Sequence, residues 1–350
     1  MRPPREITEP VSLCIEEGAA RGRLNPAARG WSRHPLIRGE IPGSYLRRKR
    51  WNFVFVSNPE VLVAAALSHA DYVGLGFVWL YDLKRGRFLE VEHMAPLGRG
   101  VHIGAAIDDE ASFVSGPLTY HWRPGTGSQH PNQEINVAVS APRMKGSADP
   151  LELRLRIALS PAEESFNLVV PWSERVFNYT GKIVALKCEG ELRAGGQTYA
   201  LRPGETLASL DCTRGIWPYN TSWRWASGAG YMGGRRIGVN FGAGWTESAG
   251  VLENALYVDG KVMPLWEPVE FRFDAENLKQ PWQLRTPDSR RVALTFTPTY
   301  ERAQDTNLGL IRIRLQQVMG LISGQLTLDS GEVVEISGMP GIAENHSARW

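Results

Sequence analysis

Apolar and polar residues alternate along much of this chain with a period of two. Leu151 to Leu159 reads Leu-Glu-Leu-Arg-Leu-Arg-Ile-Ala-Leu, which sends its leucines to one side of an extended backbone and its charges to the other. Trp51 to Ser57, Leu62 to His69 and Tyr72 to Asp82 form three more such segments. Turn residues at Asn58-Pro59 and Ala70-Asp71 separate them, as in a meander. Phe88 to His93 and Val101 to Ile107 continue the series. Lys182 to Glu191 and Gln197 to Leu201 predict a hairpin about Ala194-Gly195-Gly196. In the second half Leu256 to Val258 runs into Asp259-Gly260, a pair suited to a tight hairpin turn. Val269 to Phe273, Arg291 to Pro298, Leu310 to Val318, Gly324 to Leu328 and Val333 to Ile336 follow, with turns at Asp288-Ser289 and Ser330-Gly331. Long helical periodicity is absent, and Pro161 to Ser165 predicts only a short helical turn. The class expected is all-β: two antiparallel barrels or sandwiches packed together. Residues 1–45, rich in Pro, Gly and Arg, read as an irregular N-terminal arm, 46–205 as a first β-domain and 206–350 as a second.

Residues 210–245 depart from this rhythm. Trp217, Tyr219, Trp223 and Trp225 fall on odd positions, and residues two apart in a strand share a face. An aromatic surface is expected there, although Gly215 and Pro218 place the start of the strand proper after Trp217. Gly233-Gly234 tolerates the primed turn geometries of a two-residue hairpin. With those two as the loop, Trp225 pairs with Gly242, Trp223 with Gly244 and Ser227 with Asn240. A large ring opposite a glycine covers backbone that has no side chain of its own. Asn240 and Thr246 then share the indole face, and Ile237, Val239, Phe241 and Trp245 take the other. The alternative is an aromatic core in which Asn240, Thr221 and Ser227 satisfy the buried ring donors.

Composition narrows the field. The chain has 350 residues, 43% hydrophobic and 22% charged, with a net charge of +2, and so shows no basic surplus for nucleic acid. Arg47-Arg48-Lys49-Arg50 reads as a solvated loop, with a phosphate or lipid-headgroup site as the alternative. The three cysteines lack any CxxC spacing, and Cys212 reads as a small buried filler despite its place beside Asp211. The first residues have no apolar signal core and the longest apolar run, Val61 to Leu67, is too short for a membrane span, so a cytoplasmic protein is expected. His121 and His130 lack metal-ligand spacing. No phosphate loop or dinucleotide fingerprint occurs, and neither metal nor cofactor is expected.

Several segments carry a resemblance. LDCTRGIWPYNTSWRWASG, GRRIGVNFGAGWTESAGVLENALYVDG, PWQLRTPDS, LTFTPTYERAQDTNLGLI and ENHSARW, with GPLTYHWRPG and NLVVPWSERVFNYTG in the first half, resemble a bacterial family described only as domain of unknown function 2804. More distantly, Leu210 to Trp217, Trp223-Arg224-Trp225 and Gly341 to His346 are similar to blocks of the carotenoid 1,2-hydratase and AttH-like superfamily. That resemblance implies a lipocalin-like pair of domains. The superfamily's WMDREW text is replaced here by LDCTRGIW, which keeps an acid and an arginine at a different spacing.

Hydrating or isomerising an alkene takes a proton donor, a dry pocket and groups that tolerate positive charge. A carboxyl group in an apolar, ring-lined site holds its proton more tightly, and aromatic faces stabilise a passing cation. Asp211 is therefore the candidate acid. Trp217, Tyr219, Trp223 and Trp225 are the candidate lining, with Arg214, Asn240 and Asn254 orienting a polar end. Glu253 and His346 are candidates to hold water or take the proton back, as is Glu301. Each has a structural alternative: an Asp211–Arg214 ion pair, a loop cap at Glu253-Asn254, a frayed C-terminus at His346. Three functions stay open: a lyase or isomerase on a hydrophobic isoprenoid or lipid-like substrate, a non-catalytic carrier of such a ligand, and a carbohydrate-active protein.

Overall fold

The computed structural model describes residues 2–125, 134–307, 309 and 311–350, so His130 and Leu310 lie outside the described residues. The chain divides into two compact units: Arg5–Trp217, and Pro218–Trp350 with the extreme N-terminal residues up to Pro4. Both are built almost wholly of antiparallel strands. The all-β expectation holds, and each unit is a curled, lipocalin-like half.

In the first unit the principal sheet runs in the order Arg87–Pro96, Val73–Asp82, Val61–His69, Arg48–Ser57, Leu207–Ile216, Phe177–Ala194, Leu151–Ala158, Glu134–Ala141, Leu118–Pro124, Ala111–Ser115, Val101–Ile103. Its two ends share one core: Val78, Leu80 and Leu89 cluster with Phe113, Leu118, Tyr120 and Trp122. The alternating run behaves as its pattern requires, with Leu151, Leu153, Leu155 and Ile157 buried and the intervening Glu152, Arg154 and Arg156 exposed. Residues before Arg48 are largely irregular but firmly tied in. Trp31–Ser32 pairs with Phe166–Val170, Trp31 stacks on Phe166 at 5.7 Å, and Leu13, Leu24 and Ile37 are fully buried.

Two expectations are corrected in this unit. Pro161 to Ser165 is not helical; it makes one turn closed by Glu163 N donating to Ser160 O at 2.9 Å. The basic run is not a solvated loop, because Arg48, Lys49 and Arg50 begin a strand. A fully buried carboxylate makes that placement affordable. Asp71 accepts from Arg48 at 2.9 Å and faces Arg50 at 3.5 Å, while the Lys49 ammonium lies 4.8 Å over the Tyr72 ring. Burial draws the Lys49 ammonium down to about 8.

The second unit has the order Lys261–Leu265, Asn254–Val258, Arg235–Ala243, Asn220–Met232, Val333–Arg349, Arg312–Thr327, Val292–Asn307, Trp282–Arg285, Glu270–Arg272. The hairpin register is the one the glycine pair implied. Trp225 pairs with Gly242 and Ser227 with Asn240, and Gly233 and Gly234 take φ of 57° and 81°. Three strands of this sheet are 16 or 17 residues long, where the pattern suggested shorter pieces. Pro298 and Gly324 resemble turn signals, yet they mark bulges at which long strands bend and continue. Ala226, Val239, Phe241, Leu294, Phe296, Val318, Ile322 and Ala343 pack on one face of the sheet as the core of this half.

Among the described residues no helix is long and apolar enough to cross a membrane.

Candidate active site

The opposite face of the second unit's sheet carries the candidate chemistry. Register alone assembles it. Arg302 pairs with Gln317, Gln317 with Glu344, Glu344 with Trp225 and Trp225 with Gly242. Directly opposed residues share a face, so this is one transverse row over five strands, each about 4.8 Å from the next. A second row places Leu315, His346 and Trp223 side by side, and a third places Met319, Ile342, Ser227 and Asn240. Arg302, Gln317, Trp225, Ser227 and Asn240 are all buried. A polar row at that depth requires partners.

The partners form two groups. In the first, Trp225 Nε1 donates to Asn240 Oδ1 at 2.9 Å and Asn240 Nδ2 donates to the Glu253 carbonyl at 2.7 Å. Trp245 Nε1 donates to Glu253 Oε1, Gly242 N donates to Asn254 Oδ1 at 2.9 Å, and Asn254 Nδ2 donates to the Glu267 carbonyl at 3.0 Å. Glu253, Asn240 and Asn254 are thus brought together around Trp225. Gly242 makes room for the Glu253 carboxylate, since a Cβ there would stand 1.9 Å from Glu253 Oε1. Gly242→Ala is expected to displace that carboxylate from Trp245 and to lower stability by about 1–3 kcal/mol, read as a shifted urea midpoint. An unchanged midpoint would show that the carboxylate is not held there.

In the second group, Trp223 Nε1 donates to Glu344 Oε2 at 3.2 Å and Gln317 Nε2 donates to Glu344 Oε1 at 2.6 Å. The His346 imidazole stacks on Trp223 with centroids 3.8 Å apart and planes 9° from parallel. Both of its ring nitrogens are enclosed, although the residue as a whole is only part-buried, and neither has a hydrogen-bond partner among the described residues. Burial holds the imidazolium form down to about 3, so the ring is neutral near pH 7. His346 is therefore not on a frayed tail: it lies inside the Val333–Arg349 strand, paired on both sides.

The first unit holds the other candidates. Asp211 lies on Leu207–Ile216, where its Oδ2 meets the Lys182 ammonium at 2.6 Å. The possible Asp211–Arg214 pair is not formed, because residues three apart in a strand face opposite ways. Arg214 is buried and donates instead to the carbonyls of Gly104 at 2.8 Å, Trp51 at 3.0 Å, Thr213 at 2.9 Å and Ala106 at 3.4 Å. Its donors are spent on backbone, and burial lowers its affinity for the proton. Cys212 is buried and its thiol is pushed up to about 12 by desolvation, the state of an inert filler.

The four rings do not share one strand face. The first unit's strand ends at Ile216, Pro218 offers no N–H to a ladder, and a new strand begins at Asn220 in the second unit. Trp217 donates to Asn178 Oδ1 at 2.9 Å and packs 5.2 Å from Trp51. Tyr219 lies between the strands and is 48% exposed. Only Trp223 and Trp225 remain as neighbours on a face. Glu301 is paired with Val318, which puts it one residue out of step with the Arg302 row. Gln317 and Arg302 were not singled out as site residues in the sequence, and Glu344 entered only as the glutamate of the Gly341 to His346 block. Glu344 had a signal, two residues before His346 in the same strand, whereas Gln317 and Arg302 join the row only through the register of successive strands.

Two solved structures share this fold. Kievitone hydratase from Nectria haematococca is 11% identical, with 85% of this chain and 88% of that one covered and a TM-score of 0.50. CghA, solved with Sch210972, is 13% identical, with 86% and 88% covered and a TM-score of 0.53. At such identities the likeness is one of fold. No curated protein matches the chain. The family model described as Domain of unknown function (DUF2804) matches residues 4–350.

Proposed function

We propose that this chain, which belongs to the DUF2804 family, is a lyase or isomerase that transfers a proton to or from carbon in a hydrophobic, isoprenoid or lipid-like substrate. One observation carries this reading: a neutral imidazole, His346, lies flat on Trp223 with neither nitrogen hydrogen-bonded among the described residues, two residues from the Glu344 carboxylate. An enclosed polar atom without a partner marks a place for water or a substrate atom. In the elimination direction His346 takes a proton from carbon, the C–H electrons become the new double bond, the C–O bond breaks, and His346 returns its proton to the departing hydroxyl, which leaves as water. Hydration is the reverse. Glu344, held by two donors, orients that water, and the Trp223 and Trp225 faces line the apolar part. The fold shared with a protein named as a hydratase agrees with this chemistry. Asp211, occupied by Lys182, is not assigned the donor role.

The test uses heavy water. Incubated in D2O with prenyl and terpenoid alcohols and alkenes, the protein is expected to place deuterium on carbon, detected by mass spectrometry. His346→Gln should lower the rate about a hundredfold or more. Retained ligand without any exchange would overturn the enzymatic reading in favour of a carrier, whose binding should then fall in Trp223→Ala.

A glycoside-cleaving reading has one observation behind it: Glu344 and Glu253 flank Trp225 on a single face, about two strand spacings or 10 Å apart. Glu253 is only 1% exposed and is engaged by Trp245, which does not suit an open sugar-binding groove.

A further inference from the structure

Among the described residues seven large hydrophobic side chains are exposed, and five of them, Tyr45, Leu46, Met94, Leu97 and Val114, lie on the first unit. Contacts through intervening residues link the segments that carry them into one rim. The Arg48 guanidinium lies 5.8 Å over the Tyr45 ring and grips Asp71 at 2.9 Å. The residue after Asp71 accepts from the Leu97 amide, Leu97 N to Tyr72 O at 2.9 Å, and Val114 N donates to Gly100 O at 2.8 Å. Met94 stands two positions before the end of its strand, at the entry to the same loop.

Two features set this rim apart from scattered surface leucines, which need no explanation. Leu46 and Leu97, the two exposed leucines among the described residues, both take left-handed backbone angles, with φ of 69° and 56°. A side chain with a Cβ pays about 1 kcal/mol or more there. The fold thus spends strain on holding two apolar side chains out in water. The second feature is charge. The loops at 42–47, 96–100 and 114–117 contain Arg47 and Arg99, both exposed, and no Asp or Glu. The nearby Asp71 is fully buried and engaged by Arg48 and Arg50.

We propose that this rim docks on an anionic lipid bilayer, with the loop tips entering the headgroup region and Arg47 and Arg99 meeting the lipid phosphates. Separate apolar side chains at loop tips and strand ends suit a soft interface that closes around each of them. A rigid protein partner would need a continuous complementary face. Basic groups beside a membrane add attraction that salt screens, and the apolar tips add burial that salt does not weaken. The inference is independent of the reaction proposed above.

Co-sedimentation of the full chain with phosphatidylcholine vesicles, alone and mixed equally with phosphatidylglycerol, tests it. Retention is expected on the mixed vesicles at low salt, about tenfold weaker on phosphatidylcholine alone or when Arg47→Gln and Arg99→Gln are combined. Leu46→Ser with Leu97→Ser should also release the protein. These positions are exposed, so the variants are expected to fold. Independently, Leu46→Trp should shift its emission to the blue when mixed vesicles are added. Equal retention on both vesicle types, or retention unchanged in the leucine variant, would overturn the proposal. So would a leucine variant that only converts a dimer to a monomer in sedimentation velocity, which would mark the rim as a contact between copies.

Discussion

Replacing Asp71 by asparagine is expected to destabilise the first unit by up to roughly 3 kcal/mol, the lower end for removing one partner of a buried ion pair, because Arg48 and Arg50 are only part-buried. The Asp71 side chain is fully enclosed and its carboxylate accepts from the Arg48 side chain at 3.1 Å and the Arg48 amide at 3.2 Å, with Arg50 at 3.5 Å. Asparagine is the informative substitution because Asp71 has a φ of 63°, which asparagine tolerates. The backbone is kept and only the charge is lost. Burial alone would raise the Asp71 carboxyl, but the hydrogen bonds and charge of Arg48, with Arg50, more than offset it and hold the group below its usual range. A depressed carboxyl contributes stability that is complete above the unfolded value, about 3.9, and is lost as pH falls through the lower folded value. Urea midpoints of the parent should therefore drop below about pH 4, whereas the variant, already weakened, should lack that acid limb. A variant as stable as the parent at neutral pH would show that Arg48 and Arg50 do not depend on this carboxylate.

His346→Phe should produce the second large effect, and with the opposite sense in acid. Phenylalanine can keep the stack on Trp223 but cannot take a proton. In the parent, burial keeps the imidazole neutral down to about 3, while an unfolded histidine charges near 6.5. The unfolded chain thus binds a proton that the native state refuses. Stability is complete above the unfolded value and falls by up to about 1.4 kcal/mol per pH unit as pH drops from about 6.5 toward the folded value. The residue is only part-buried, which reduces that slope. The variant should be flatter over this window and more stable than the parent near its lower end, as read from denaturant titrations at several pH values. It should also lose deuterium transfer. Parallel curves for the two proteins would mean that His346 is protonated without penalty and is not enclosed as described.

The fold was legible where local chemistry is decisive. Gly233-Gly234 admits a primed turn, and once the turn is known every pair of that hairpin follows, down to Trp225 opposite Gly242. Leu151 to Ala158 was equally plain, because one face is buried and the other exposed. The long strands were cut short because Pro298 and Gly324 look the same in sequence whether they end a strand or bend it. The aromatic face was overextended for the reverse reason. Odd spacing continues through Pro218, but the ladder does not, and Trp217 and Trp223 belong to different units. Of the site, Glu253, Asn240, Asn254 and His346 were visible as residues, while Gln317 and Arg302 required the register of three successive strands and the pairing of Glu344 with the distant Trp225. Asp211 drew attention by its neighbours in sequence. Its neighbour in space, Lys182, is set by the pairing of Leu207–Ile216 with Phe177–Ala194 and gives no local sign.

The strand Arg48–Ser57 pairs on one side with Val61–His69 and on the other with Leu207–Ile216; Ser57 and Leu207 are 150 residues apart. During synthesis the first of these partners is made at once, but the second leaves the ribosome only after almost the whole first unit. Until then one side of a strand containing Phe53, Val54, Phe55 and Val56 has open backbone groups, the feature that templates wrong pairings between nascent chains. Closure of so long a loop is slow, and the first unit cannot complete its sheet until the segment that leads directly into the second has emerged.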